Sequence, residues 1–299
     1  MIVSLIGTNG LLSNEIGLFC NKNNFTLICY GRKEPSVHQF NEFIFLDLEK
    51  EEINIEKISQ SDVVIYASGI GVQSNVKYST QSIYHINTFI PIDLSNKLNN
   101  LGFKGIFITF GSCFEIGNNS KSVQFSEYEV ANSLLNVPND YCISKRLLTR
   151  FVTSSIQSFN HMHFILPTIY GERELEHRLI PYIIKSIKNK GIMQFTSGTQ
   201  IRQYLYAGDV PRIIFELLRL ENKKVYNIQG IETYSVRNIV EKVFSFYNMP
   251  ISEELFGKAE RSDVGMQDLQ LDGSLVKSLL PDFNYKTFVE ILKLYDKCL

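Results

Sequence analysis

Met1-Ile2-Val3-Ser4-Leu5-Ile6-Gly7-Thr8-Asn9-Gly10-Leu11-Leu12-Ser13 opens the 299-residue chain, and its reading decides the fold. Ile2–Ile6 is a short, almost wholly apolar run, as expected of a strand covered on both faces. Gly7 permits a tight turn. Gly10 lets the backbone approach a pyrophosphate set against the positive end of the helix that follows. Asn9, Leu11 and Leu12 complete the turn that would face such an anion. The pattern is G-x-x-G-x-x-S, and Ser13 is small enough for close helix–strand packing. Taken alone, two glycines after a strand are also compatible with a plain tight turn.

Working outward, apolar runs alternate with helical patterns through the first two-thirds of the chain. Strands are predicted at Ile2–Ile6, Thr26–Tyr30, Glu42–Leu46, Val63–Ala67, Gly105–Phe110 and Met162–Leu166. Helices are predicted at Leu12–Asn21, Ile83–Leu101 and Tyr141–Ser158. Alternation of this kind implies βαβ units and an α/β fold with a doubly wound parallel sheet. After Pro167 the regularity weakens, with helical patterns at Arg178–Gly191, Val210–Leu220, Ser235–Phe246 and Thr287–Lys297. Ser235 suits an N-cap. We expect a nucleotide-binding domain over 1–166, with 203–231 returning to it. The segment 167–299 is expected to form mainly a smaller C-terminal α/β substrate-binding lobe.

Composition narrows the classes of function. Apolar residues make up 44% and charged residues 20%, and the formal net charge is −1. No large positive field exists to attract nucleic acid or an anionic membrane, so neither is an expected partner. Five scattered cysteines, with no C-x-x-C and no histidine at ligand spacing, argue against a disulfide framework or a metal site. No run approaches the ~20 apolar residues of a membrane helix. A soluble, cytoplasmic protein is expected.

Two further stretches carry chemistry. At the end of the second strand an NAD site places a carboxylate for the ribose hydroxyls. Here the chain reads Tyr30-Gly31-Arg32-Lys33. Arg32 offers a planar fork suited to a 2′-phosphate and Lys33 adds charge, so NADP(H) is expected in preference to NAD(H); a solvated basic loop is the plainer alternative. Asp140-Tyr141-Cys142-Ile143-Ser144-Lys145 contains Y-x-x-x-K, which puts a phenol and an ammonium on one helix face. A fall of about 3 in the phenol pKa is worth ~4 kcal/mol and would make Tyr141 an acid/base near neutrality. Some thirty residues earlier, Ile106–Phe110 runs into Gly111-Ser112-Cys113-Phe114-Glu115-Ile116-Gly117. A serine at the carboxyl edge of a parallel sheet lies where ligands bind and can hold a carbonyl oxygen.

In this order and at these separations, Gly7/Gly10, Ser112 and Tyr141/Lys145 resemble the extended short-chain dehydrogenase/reductase family of nucleotide-sugar epimerases, dehydratases and reductases. The resemblance implies a Rossmann-like sheet and a homodimer. It implies that Asp47, with Leu48, faces an adenine ring, and that Ala67-Ser68-Gly69 packs on the dinucleotide. Ile169-Tyr170-Gly171 is similar to the turn after the catalytic helix and next strand. Val225–Ile228 is similar to the family's late strand. Arg202-Gln203-Tyr204-Leu205-Tyr206-Ala207-Gly208-Asp209-Val210 is similar to a segment whose arginine meets a sugar-nucleotide diphosphate, and Arg261-Ser262-Asp263-Val264 to a second such arginine motif.

Departures from the family select within it. Dehydratases of the family carry Thr-Asp-Glu where this chain has Ser112-Cys113-Phe114, so elimination lacks its proton shuttles. Glu115 falls one residue late, and in a strand-like segment it would be turned away. The epimerase-reductases that make fucose-type sugars use a cysteine and a histidine where this chain has Phe114 and Arg178. Cys113 and His177 are each displaced by one, which suits packing and loop roles, and Arg178 is left to face substrate phosphates. Ile165 stands where arginine is usual, a structural departure, and Thr168 where asparagine is common, which alters the substrate contact. The expected reaction is reduction of a nucleotide-diphosphate-linked 4-keto-6-deoxyhexose. Hydride comes from NADPH, Tyr141 protonates the alkoxide, Lys145 polarises Tyr141 and Ser112 binds the carbonyl oxygen. A 4-epimerase and a non-catalytic dinucleotide sensor are the competing readings.

Overall fold

The computed structural model describes residues 1–72, 76–220, 224–260 and 265–298. Strands β1 (Ile2–Ile6), β2 (Thr26–Gly31), β3 (Glu42–Phe45), β4 (Val63–Tyr66), β5 (Ile106–Ser112), β6 (Gln124–Phe125), β7 (Asn160–Leu166), β8 (Thr168–Tyr170), β9 (Ile201–Tyr206), β10 (Val225–Asn227), β11 (Glu232–Ser235) and β12 (Asp268–Leu271) form two sheets. The first has the order β10-β7-β5-β4-β1-β2-β3, and every pairing in it is parallel. It is a Rossmann-like sheet. β1 lies between β2 and β4, where the strand order reverses, and the crevice at that switch point is where open α/β sheets bind ligands. The carboxyl ends of β1, β4 and β5 therefore converge, bringing Gly7, Ala67–Gly69 and Ser112 to one edge.

Burial follows strand composition. All four residues of β4 are buried, as are the last four of β1 and the last six of β5 and β7. Such strands read as continuous apolar runs because helices cover both faces. On one face, Leu11–Lys22 packs on Asp209–Leu217, with Phe19 stacked on Phe215 at 4.8 Å. On the sheet itself, Phe164 stacks on Tyr226 at 5.4 Å.

The helical run expected over Ile83–Leu101 is divided. Thr80–Tyr84 and Ile90–Asn100 are α-helical, and His85–Phe89 is a π-helical turn. Pro91 supplies the reason: it has no N–H, and its ring would collide with the Asn87 carbonyl in a regular helix. The helix expected over Tyr141–Ser158 spans Asp140–Ser154, begun by Asn139, whose side chain accepts from the Cys142 N–H.

Pro167 ends β7 and cannot donate to a ladder, and β8 beyond it belongs to the second sheet. There β9 is central: β11 runs antiparallel along one side, while β12 and β8 run parallel at its start and end, with β6 outside β12. Helices Leu179–Lys188, Val236–Phe246 and Phe288–Cys298 supply a separate core that includes Ile183, Ile184, Val240, Phe288 and Tyr295. No helix among the described residues is long and apolar enough to cross a membrane.

Phe164 is fully buried on β7, between β5 and the edge strand β10 of the first sheet. We expect Phe164→Ala to cost ~3–5 kcal/mol. The chain has no tryptophan, so urea unfolding followed by far-UV circular dichroism is the measurement; a loss below ~1 kcal/mol would contradict this packing.

Candidate active site

At the glycine turn, Gly7 has φ +96°, and a Cβ there would stand 2.4 Å from Ser68 Oγ and 2.9 Å from Ser68 N. Only glycine lets the ends of β1 and β4 touch in this way. A Cβ on Gly10 would meet only Ser13 Oγ, at 3.5 Å. Gly10 is the N-cap of Leu11–Lys22; no side chain caps that helix and its first turn holds no carboxylate. The first-turn N–H groups and the positive helix end are thus left for an anion. Ser13 is buried in the third position of the pattern.

Thr8 and Asn9 fasten the loop after β2 to this turn. Thr8 Oγ1 donates to the Lys33 carbonyl at 2.8 Å; Asn9 Nδ2 donates to the Glu34 carbonyl at 3.0 Å, and Asn9 Oδ1 accepts from Ser36 N at 3.1 Å. Arg32 and Lys33 are exposed beside it. Beyond β3, Asp47 accepts from the Glu49 N–H at 3.2 Å and pairs with Lys50 at 3.3 Å; that N–H, then Lys50 and Arg32, hold its carboxyl below the usual carboxylate range. Leu48 is half-buried next to it.

The helix Asp140–Ser154 carries Tyr141 and Lys145 to the same edge. Lys145 is buried, its Nζ donates to the Phe110 carbonyl of β5 at 2.9 Å and it lies 6.0 Å from the Tyr141 ring centroid. A Cβ on Gly69 would stand 3.6 Å from Lys145 Nζ, and one on Gly71 3.6 Å from Tyr141 Cβ, so the segment after β4 crosses the pair. The Ser112 side chain lies close enough to the Tyr141 phenol to favour its ionised form. The phenol pKa does not fall. Desolvation pushes it up, opposed by Ser112. Burial likewise pulls the Lys145 ammonium pKa down, opposed by the charge of Glu115. Tyr141 is therefore held protonated, ready to donate rather than to accept.

One residue outside the sequence expectations completes the edge. Asn87, fully buried, accepts from Ile70 N at 2.9 Å and donates to Ile70 O at 2.9 Å and Ser144 Oγ at 3.0 Å. It clamps the segment after β4 to the helix bearing Tyr141. A lone asparagine in a helical pattern gives no such signal; Pro91, four residues on, marks the π turn that holds it. Together the uncapped helix end, Asp47 and the Gly69 opening beside Lys145 fit a nicotinamide dinucleotide.

The substrate side is built from both sheets. Glu115 is not in a strand: Cys113–Ile116 is a 3₁₀ turn capped by Ser112, and the Glu115 carboxylate points inward, fully buried, to accept from Ser112 N at 2.7 Å. A turn, not strand alternation, removes it from the substrate face. Cys113 packs in the interior, where burial pushes its thiol up to about 11. Phe114 is half-buried, with the Arg202 guanidinium 5.7 Å from its ring centroid. Arg202 is buried on β9 and donates to the Met266 and Ile201 carbonyls at 2.8 and 2.7 Å. Thr168 is half-buried at the start of β8, and His177 is exposed. Arg178 pairs with Glu174 at 3.2 Å and donates to the Ile169 carbonyl at 3.1 Å. Arg261, with Ser262, Asp263 and Val264, lies outside the described residues.

Sheet order, glycine turn and the Ser112–Tyr141–Lys145 grouping define an extended short-chain dehydrogenase/reductase. A family model described as the NAD dependent epimerase/dehydratase family matches residues 3–228, and the chain belongs to that family. Membership carries dependence on a nicotinamide dinucleotide. Among curated proteins it is similar to the CDP-abequose synthases of Salmonella muenchen, 26% identical over 62% of this chain, and Salmonella typhimurium, 26% identical over 51%. The chain spans just under two-thirds of the first relative's length, 66%, and 54% of the second's. Its fold is that of the UDP-glucuronic acid 4-epimerase of Bacillus cereus, solved with UDP-glucuronic acid and NAD: TM-score 0.81, 18% identity, covering 100% of this chain and 98% of that one.

Asn87→Ala would leave the Ile70 backbone groups unsatisfied. We expect a loss of ~2 kcal/mol in stability, and dinucleotide binding weakened at least several-fold in a fluorescence titration with NADPH. Unchanged affinity would show that the clamp does not shape the site.

Proposed function

We propose that the chain reduces the 4-keto group of a nucleotide-diphosphate-linked 6-deoxyhexose with NADPH. The observation that carries this reading is the Tyr141 phenol, kept protonated by burial, beside Ser112 and with the Lys145 Nζ 6.0 Å from its ring centroid. A bound nicotinamide dinucleotide supplies the hydride. Ser112 holds the substrate carbonyl oxygen, Tyr141 gives its proton to the developing alkoxide, and Lys145 stabilises the phenolate left behind. Gly7, Asn9, Gly10, Leu11 and Leu12 hold the pyrophosphate, Asp47 and Leu48 the adenine, and Ala67, Ser68 and Gly69 the face of the dinucleotide. Arg32 and Lys33, fastened to the glycine turn through Thr8 and Asn9, favour a 2′-phosphate and hence NADP(H).

On the substrate side, Arg202 and Arg261 take the diphosphate, Phe114 and Thr168 shape the sugar pocket with Cys113 packed behind them, and Arg178 borders it from its pair with Glu174. The curated relatives are named for a CDP-linked sugar, which supports cytidine as the base. The inward turn of Glu115 supports a site without the acid/base pair of a dehydratase. A cytoplasmic homodimer remains the expected form of the protein.

Incubation with NADPH and a CDP-4-keto-6-deoxyhexose should consume stoichiometric NADPH. Interconversion of two sugars with no net loss of absorbance would instead identify a 4-epimerase. Tyr141→Phe should lower turnover by about 10²–10⁴-fold with dinucleotide affinity retained; undiminished turnover removes Tyr141 from the reaction.

Replacing Arg32 by aspartate should cost tenfold or more in NADPH affinity, about 1.4 kcal/mol, and spare NADH binding. Equal losses for the two would refute a 2′-phosphate contact. Because burial lowers the Lys145 pKa, its ammonium is lost as pH rises through that lowered value. The reductive rate should therefore fall well before the ordinary lysine pKa of about 10.4. A rate level up to that pH would show that the charge of Lys145 is not required.

A further inference from the structure

Behind Ser112 runs a chain of polar side chains that the reaction above does not use. Glu115 Oε1 accepts from Ser112 N at 2.7 Å, and Glu115 Oε2 accepts from Thr149 Oγ1 at 2.6 Å. Thr149 Oγ1 lies 2.9 Å from His163 Nε2, and His163 Nδ1 lies 2.8 Å from Thr109 Oγ1. Thr109 Oγ1 is in turn 3.0 Å from His161 Nε2, and His161 Nδ1 is 3.1 Å from Ser95 Oγ. All six residues are buried, five of them completely. A Cβ on Gly111 would stand 2.6 Å from Glu115 Oε1 and 2.7 Å from His163 Nε2, so that glycine leaves the space in which carboxylate and imidazole come together.

Proton counting gives this chain a direction. Each hydroxyl has one proton to donate, and each neutral imidazole has one donor and one acceptor nitrogen. Burial holds both histidines neutral by lowering their pKa values. With Thr149 donating to Glu115, His163 must donate from Nε2 to Thr149 and accept at Nδ1 from Thr109. His161 must then donate from Nε2 to Thr109 and accept at Nδ1 from Ser95. Every bond points toward the carboxylate.

We infer that Glu115 is a positioning residue for the Ser112–Tyr141–Lys145 site, its carboxylate form favoured by this one-way chain of hydrogen bonds. Burial raises its carboxyl pKa, to about 7, and the bonds from Thr149 and Ser112 N with the charges of Lys145 and Arg146 oppose that rise. The inference rests on the reductase reading of that site. The chain is not a proton path: it meets the site through an N–H, and its far end, Ser95, is wholly buried. Its effect is electrostatic. The groups facing Glu115 are Lys145, Arg146, Tyr141 and Cys142 from the helix, Cys113 from its own turn and His163 from β7 through Thr149. A carboxylate among them favours ammonium on Lys145 and phenol on Tyr141, the protonation state that a proton donor needs before each turnover. Its bond to Ser112 N also fixes the residue whose hydroxyl lies beside the phenol.

Glu115→Gln tests both halves. The amide oxygen can still accept from Ser112 N, but the amide nitrogen must donate to Thr149, and the whole chain reverses. In ligand-free protein, long-range ¹H–¹⁵N correlation spectra should show His161 and His163 as Nε2–H tautomers in the wild type and as Nδ1–H tautomers in the variant. Unchanged tautomers overturn the chain. The Lys145 pKa, followed by its ¹³Cε shift, should fall by about one pH unit, a tenfold change in its protonation equilibrium; an unmoved value overturns the coupling. Should Glu115→Gln fail to fold, Thr149→Val, which removes the donor to the carboxylate, should lower the Lys145 pKa in the same direction, and Thr149→Ser should restore it; no difference between the two overturns the proposal. If both spectroscopic shifts occur while the alkaline limb of NADPH-dependent turnover stays in place, the reductase reading of Tyr141 and Lys145 fails and the positioning of Glu115 stands.

Discussion

The bond from Lys145 Nζ to the Phe110 carbonyl, 2.9 Å long and shut away from water, sets the geometry of this protein's working edge. A buried ammonium left unpaired is costly, so the helix Asp140–Ser154 is held in one place against β5. That placement puts Tyr141 one turn back along the same helix, against Ser112 at the end of the strand. The segment after β4 passes the pair at Gly69 and Gly71, where an added Cβ would come into ordinary contact, 3.6 Å, with Lys145 Nζ and with Tyr141 Cβ. Moving the ammonium would move each of these at once.

Around that bond the interior is polar. Thr109, His161 and His163 on the strands, and Asn87, Glu115, Ser144 and Thr149 on the helices and turn packed against them, are buried, each with hydrogen-bond partners. Satisfied networks of this kind hold one arrangement, because any slip leaves a donor or acceptor without a partner in a medium of low dielectric. The rigidity suits a site whose phenol, serine hydroxyl and ammonium must stay in register. The same low dielectric explains why the isolated phenol is harder to ionise here than in water, a direction opposite to that expected from its lysine neighbour alone.

The second lobe solves a different problem. Pro167 ends β7 in the first sheet, and β8 and β9 carry the chain across to a sheet with its own apolar core. Arg202, buried on β9 beneath Phe114, is where the two halves meet next to Ser112. An arginine bonded to backbone carbonyls is pre-ordered, so little side-chain entropy would remain to be lost on the diphosphate binding proposed for it.

Much of this was legible in the residues. The apolar run into Gly7 and Gly10, the alternation that followed and the turn-by-turn spacing of Tyr141 and Lys145 identified the α/β sheet and residues that gather at its carboxyl edge, because strand burial and helix periodicity are local properties. The Ser235 cap, whose side chain accepts from the Asn238 N–H, and the Pro167 break were likewise written in single residues. Glu115 was not legible: strand alternation and a 3₁₀ turn send the same residue to opposite places, and only the packed chain chose between them. Nor was Asn87, whose partners lie 17 and 57 positions away. The balance between burial and charge on Tyr141 escaped sequence reasoning for a related reason. Spacing along a helix tells which groups are near, whereas desolvation depends on everything that closes over them, and that exists only once the chain has folded.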